Sequence, residues 1–170
     1  MDEVYRVEYV DAYYIYEDEL GETKLSPHEA FGYVERKGDS IVIRFIKKVI
    51  EEGKPDTSDP DHIPEGLVIP DTALLSINKD FKLPALDTIR ISSSVIVTWR
   101  DVVHVGNMVR TDCSVMYTEG ILHRVEDDHV VIKDPETIRT YPLPIANHPG
   151  GKPTYLVIPK SFITEIKAVV

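Results

Sequence analysis

Asp11 and Asp101 are the residues whose placement first suggests chemistry. Asp11 lies within the alternating segment Val7–Ile15, in phase with Val7, Tyr9, Tyr13 and Ile15, and Asp101 lies within Val97–Val105, in phase with Val97, Trp99, Val103 and Val105. A carboxylate on an inward face is costly unless it is hydrogen-bonded or paired. Either each aspartate accepts backbone N–H groups and fixes a loop or bulge, or it contacts a ligand. Tyr5, Tyr9, Tyr13, Tyr14 and Tyr16 crowd the first of these segments. Alternation puts Tyr5, Tyr9 and Tyr13 on one face, and Tyr14 and Tyr16 on the other. Such a row serves as core, or as a surface on which bases stack or a subunit docks.

His104, His123, His129 and His148 fall in the second half of the chain, near Asp127, Asp128 and Cys113. Their spacing matches no regular metal site, so they read as solvated or loop histidines and no metal or cofactor is expected. A Cys113–histidine nucleophile would need an oxyanion hole, and nothing in the sequence marks one. Glu51, Glu52, Asp59, Asp61 and Glu65 form an acidic loop without the ligand spacing of a calcium site. No catalytic motif and no phosphate loop is present. The expectation is a non-enzymatic binding module, with Asp11, Asp101, Trp99, His104, His129 and Tyr14 as the residues to contact a ligand.

The elements that must position these residues come in two sets. Val7–Ile15 matches Val97–Val105 at an offset of 90 residues. Gly32-Tyr33-Val34-Glu35-Arg36 matches Gly120-Ile121-Leu122-His123-Arg124 at 88, and Ile41–Arg44 matches Val130–Lys133 at 89. Leu67-Val68-Ile69-Pro70, with Leu74 and Ile77 after it, matches Leu156-Val157-Ile158-Pro159, with Ile163 and Ile166, also at 89. Landmarks recurring in one order at nearly constant offset indicate an internal duplication. Residues 1–78 form the first copy and 95–170 the second. Residues 79–94 link them, with enough apolar side chains (Phe81, Leu83, Leu86, Ile89, Ile91) to pack rather than hang free.

Period-two alternation of aromatic and β-branched residues predicts strands throughout, hence an all-β chain. Gly38-Asp39 and Glu126-Asp127-Asp128 predict hairpin turns. Pro70 and Pro159 predict 3₁₀ turns over 71–73 and 160–162, because proline ends a ladder and suits the first position of a helical turn. A fifth strand is expected over Leu74–Ile77 and Ile163–Ile166. The long loops 17–29, 51–64, 107–118 and 135–153 are places to look for function.

That order of elements is similar to the Sm-like, or SH3-like, small barrel. The pattern Trp99-Arg100-Asp101, Gly120-Ile121-Leu122, Ile158-Pro159 also resembles a group of small phage and bacterial proteins; the first copy answers with Tyr9-Val10-Asp11, Gly32-Tyr33-Val34 and Ile69-Pro70. The resemblance implies two tandem five-stranded barrels. It also implies a homo-oligomer, with three chains giving a pseudo-hexameric ring, and short single-stranded RNA or a nucleotide as ligand. The chain departs from the Sm RNA-binding signature, since neither copy has its Asp-x-x-Met-Asn or Arg-Gly stretch. A protein-interaction or structural accessory module, as in a phage, is the alternative.

Charge weighs on that choice. The net charge is −10. Residues 1–90 hold 20 acidic and 11 basic side chains, and residues 91–170 hold 9 and 8. Overall acidity opposes attraction to double-stranded DNA or an anionic membrane. A neutral face on the second half remains the better place for a short strand. One cysteine and an acidic N-terminus lead to the expectation of a cytoplasmic protein.

Overall fold

In the computed structural model, which describes residues 3–51, 65–78, 80–105, 112–141 and 151–169, the tyrosine-rich segment does not stay in one sheet. Strand β1 (Tyr5–Tyr9) stops short of Asp11, and the chain resumes as β2 (Tyr13–Ile15) in a different sheet. After it come β3 (His28–Lys37), β4 (Ser40–Glu51) and β5 (Gly66–Pro70), then a 3₁₀ turn over Asp71–Ala73 and a single helical turn, α1 (Leu75–Asn78). A second 3₁₀ turn spans Pro84–Thr88. The second copy supplies β6 (Ser94–Asp101), β7 (Val103–Val105), β8 (Ser114–Val125), β9 (His129–Tyr141) and β10 (Tyr155–Pro159). A 3₁₀ turn over Lys160–Phe162 leads into β11 (Ile163–Ala168).

The strands form two antiparallel sheets in the orders β1-β3-β4-β5-β7 and β11-β6-β8-β9-β10-β2. The halves therefore exchange strands. Tyr13–Ile15 of the first copy pairs with Tyr155–Val157 of the second. Reciprocally, Val103–Val105 of the second pairs with Gly66–Val68 of the first.

This corrects the expectation of two Sm-like or SH3-like five-stranded barrels. The sheets have five and six strands, and neither closes; β1 and β7 are the edges of one, β11 and β2 of the other. The reason lies at the two aspartates. Asp11 Oδ1 accepts the Ala12 N–H at 2.8 Å, and Asp101 Oδ1 accepts the Val102 N–H at 2.9 Å. A side chain that takes a neighbouring backbone donor competes with ladder pairing. The opening strand breaks there and its last three residues cross to the other sheet. The expected fifth strand of the first copy is also missing: Leu74 makes one isolated bridge to Tyr9, and the chain then turns into α1.

Gly32 and Gly120 stand where the β3–β4 and β8–β9 registers slip. A Cβ at Gly120 would collide with Ile132 Cγ2 and lie 2.9 Å from the Lys133 carbonyl oxygen. The equivalent distances at Gly32 are 2.8 Å to Ile43 Cγ2 and 3.0 Å to the Arg44 oxygen. The bulges bend the long hairpins over one core. That core draws on both copies, with Tyr9, Ile43, Leu67 and Ile69 beside Trp99, Leu122, Ile132 and Phe162; Leu83, Leu86 and Ile89 of the connecting stretch pack into it.

Candidate functional site

Two of the six residues expected to contact a ligand, Trp99 and Tyr14, are joined in one polar chain, and the charge of a third, Asp101, acts on its end. Trp99 Nε1–H donates to Thr118 Oγ1 at 3.0 Å, and Thr118 Oγ1 lies 3.1 Å from Thr137 Oγ1. Thr137 hydrogen-bonds the Tyr14 hydroxyl, which burial pushes above the ordinary tyrosine range. The negative charge of Asp101 also reaches Tyr14. Burial raises the Asp101 carboxyl to about 7, opposed by the Val102 N–H that it accepts. Tyr14 comes from the first copy and the rest from the second, so the chain ties the exchanged β2 to its host sheet. Trp99 is 1% exposed and Thr118 is fully buried. A base cannot stack on an indole so enclosed.

His129 and Asp11 lie elsewhere. His129 is buried, with Nδ1 against Asp128 Oδ1 at 2.5 Å and Nε2 against Thr23 Oγ1 at 2.8 Å. A carboxylate, an imidazole and a hydroxyl in series have the connectivity of a nucleophilic relay. Thr23 is itself buried, however, so its hydroxyl serves to hold the loop after β2 against the β8–β9 turn. Sequence-equivalent positions repeat this clasp: Ser40 Oγ lies 3.6 Å from Cys113 Sγ, and Arg100 reaches Ser40 Oγ at 3.1 Å and the Asp39 carbonyl at 2.9 Å. Burial pushes the Cys113 thiol upward, which suppresses the thiolate. His104 takes part through its backbone, paired with Leu67; its side chain lies outside the described residues, as does His148. His123 stacks at a tilt on Tyr155, 5.3 Å between ring centres. Among the described residues no three histidine, cysteine or acidic side chains gather as a metal site would require, and no helix is long and apolar enough to cross a membrane. The acidic loop 51–64 lies outside them except for its first residue.

The accessible site is one that sequence reasoning missed. In the second copy β11 covers the outer edge of β6, with Ile163 opposite Trp99, Glu165 opposite Thr98, Ile166 opposite Val97, Lys167 opposite Ile96 and Ala168 opposite Val95. The first copy begins the same way, with Leu74 opposite Tyr9 and the Val10 N–H on the Ala73 carbonyl at 2.9 Å. It then diverges. Ile77, the counterpart of Ile166, is 40% exposed where Ile166 is 5% exposed, and Tyr5 is 52% exposed where its counterpart Val95 is fully buried. Asn78 holds the divergent path, because its buried side-chain amide donates to Ser161 Oγ. A groove of about 660 Å³ runs along this edge, which no strand among the described residues covers, between β1, Val34, Ile41 and the start of α1.

No protein-family model matches the chain, and neither a curated protein nor a solved structure is similar enough to count as a relative. The likeness to the Sm-like family and to small phage proteins thus has neither a matching sequence nor a closed barrel behind it. What the chain can do has to be read from its own surfaces.

Proposed function

We propose that the protein is a non-enzymatic binding module that takes up an extended polypeptide segment along the open edge of β1. The observation that carries this reading is the internal comparison: the same edge is covered by β11 in one copy and, among the described residues, uncovered beside a groove in the other. Exposed edges present backbone donors and acceptors in a row and pair readily with added strands. Since the Val10 N–H points to the Ala73 side, alternation turns the backbone groups of Arg6 and Glu8 to the open side and those of Tyr5 and Val7 toward β3. Main-chain pairing would supply affinity, and the groove would receive the alternate apolar side chains. Burial of Trp99 and the acidity of the first copy favour this reading over RNA or a nucleotide.

A fluorescent peptide with the sequence of Ile163–Val169 tests it. Saturable anisotropy on the full-length protein, lost in Arg6→Pro, is the expected result. Proline at that position removes a donor on the open side while leaving the β3 ladder intact. Equal binding by the proline variant, or none by the parent, would refute the proposal.

A further inference from the structure

We infer that the segment accepted at this edge carries a basic residue facing Glu8, followed by an apolar residue facing Val7 and a second apolar residue facing Tyr5. This rests on the strand-addition reading and gives its partner a chemistry. The register of β11 on β6 is the template. Moved to the first copy, the Glu165 position falls opposite Glu8, the Ile166 position opposite Val7, the Lys167 position opposite Arg6 and the Ala168 position opposite Tyr5. Side chains directly opposite in an antiparallel pair share a face, so each requirement can be taken position by position.

The inward row is apolar. Val7 is nearly buried while Tyr5 is exposed, and Ile77 has swung away from the place that Ile166 fills in the other copy. The guest therefore supplies the aliphatic side chain that this half withholds. The outward row is acidic. Arg6 is paired with Glu8 at 2.8 Å and also with Glu29 on β3, so one cation stands against two carboxylates. Arg6 is shared between the two carboxylates, so Glu8, at the open edge, is only partly neutralised and is the charge a guest would meet. The strand β11 itself fits this place less tightly than a basic guest would, because Glu165 would face Glu8; its sequence still binds, but several-fold more weakly.

Two labelled peptides on the full-length protein test the inference. One has the sequence of Ile163–Val169, and the other carries Glu165→Lys. The expected result is tighter binding of the lysine peptide, by roughly five-fold at low salt, shrinking as salt is raised, and a reversed preference on the Glu8→Lys protein. Equal affinities on both proteins would overturn the charge rule while leaving strand addition standing. If neither peptide binds, the strand-addition reading falls and this inference with it. Light scattering that shows a dimer dissociating as peptide is added would overturn the assignment of a foreign segment in favour of a second copy of the chain.

Discussion

Thr72 Oγ1 donates to the Ser161 carbonyl oxygen at 2.6 Å, and these two residues are counterparts in the duplication. A residue that touches its own equivalent lies beside the axis relating the copies. The two 3₁₀ turns meet there, as Asn78 and Ser161 also do. Around that axis the copies exchange strands and reach over each other's hairpin turns. Thr72→Val is therefore expected to cost about 1 kcal/mol, the value of a typical hydrogen bond, and to lower the stability of both halves together. Trp99, the only tryptophan, reports on the second half by fluorescence, and far-ultraviolet dichroism reports on both. Coincident denaturant curves in the variant would confirm the shared axis; separated curves would contradict it.

Asp101 makes stability depend on pH. Its folded value of about 7 lies above the ordinary 3.8 because burial disfavours the charged form. Between these values the folded protein binds more protons than the unfolded chain. The contribution of Asp101 to stability is then greatest below about pH 4, declines as pH rises toward 7 and is lost above it. A tenfold change in acidity is worth about 1.4 kcal/mol, so the decline amounts to a few kcal/mol. Asp101→Asn keeps an oxygen for the Val102 N–H but has nothing to ionise. Denaturant midpoints followed from pH 4 to 8 should slope downward in the parent and be nearly level in the variant.

Gly120 and Gly32 predict a graded pair. Alanine at Gly120 meets both a methyl group and a carbonyl oxygen at closer range than alanine at Gly32 does. Overpacking of this kind costs roughly 1–3 kcal/mol. Both variants should be destabilised, Gly120→Ala more than Gly32→Ala, by thermal or urea unfolding. The opposite ranking would mean that the β8–β9 bulge relaxes more freely than its counterpart.

The duplication, the hairpin turns and the 3₁₀ turns after Pro70 and Pro159 are legible in the sequence because each depends on local patterning. The strand exchange is not. Val7–Ile15 alternates without interruption; its first part pairs with the nearby β3, but the sheet that Tyr13–Ile15 joins depends on Tyr155–Val157, more than a hundred residues away. Asp11 and Asp101 stand out as misfits within that alternation, but the pattern alone could not say that they break the strand. The open edge was hidden for a related reason. Leu74 and Ile77 match Ile163 and Ile166 in spacing, yet the buried contact of Asn78 with Ser161 draws one segment into a helical turn while the other remains a strand. Trp99 and His129 were conspicuous as residue types, and the structure uses both to tie the copies together.

Thr23 offers a local test of the loop clasps. Thr23→Val removes the hydroxyl that meets His129 Nε2 and leaves a buried imidazole nitrogen without its partner. The loss should be about 1–3 kcal/mol. Its signature is regional: hydrogen exchange should quicken around Leu20 and Leu25, which pack on Tyr155 and Val157, more than around Val42 and Val68 in the opposite clasp.

Cutting the connection between the copies should not separate them. Lys82 is exposed and lies outside the helical turns on either side, so a protease site inserted after it can be cleaved in the folded protein. Each fragment would still hold a strand inside the other's sheet, β2 on β10 and β7 on β5. The shared core would keep its members from both fragments. The cleaved protein should elute from a sizing column as one particle of the parent's size and come apart only when denaturant unfolds it. Because the link no longer raises the effective concentration of one half for the other, unfolding should become concentration-dependent after cleavage. Two small particles eluting separately in native buffer would show that the exchanged strands contribute little, and that the connection itself holds the copies together.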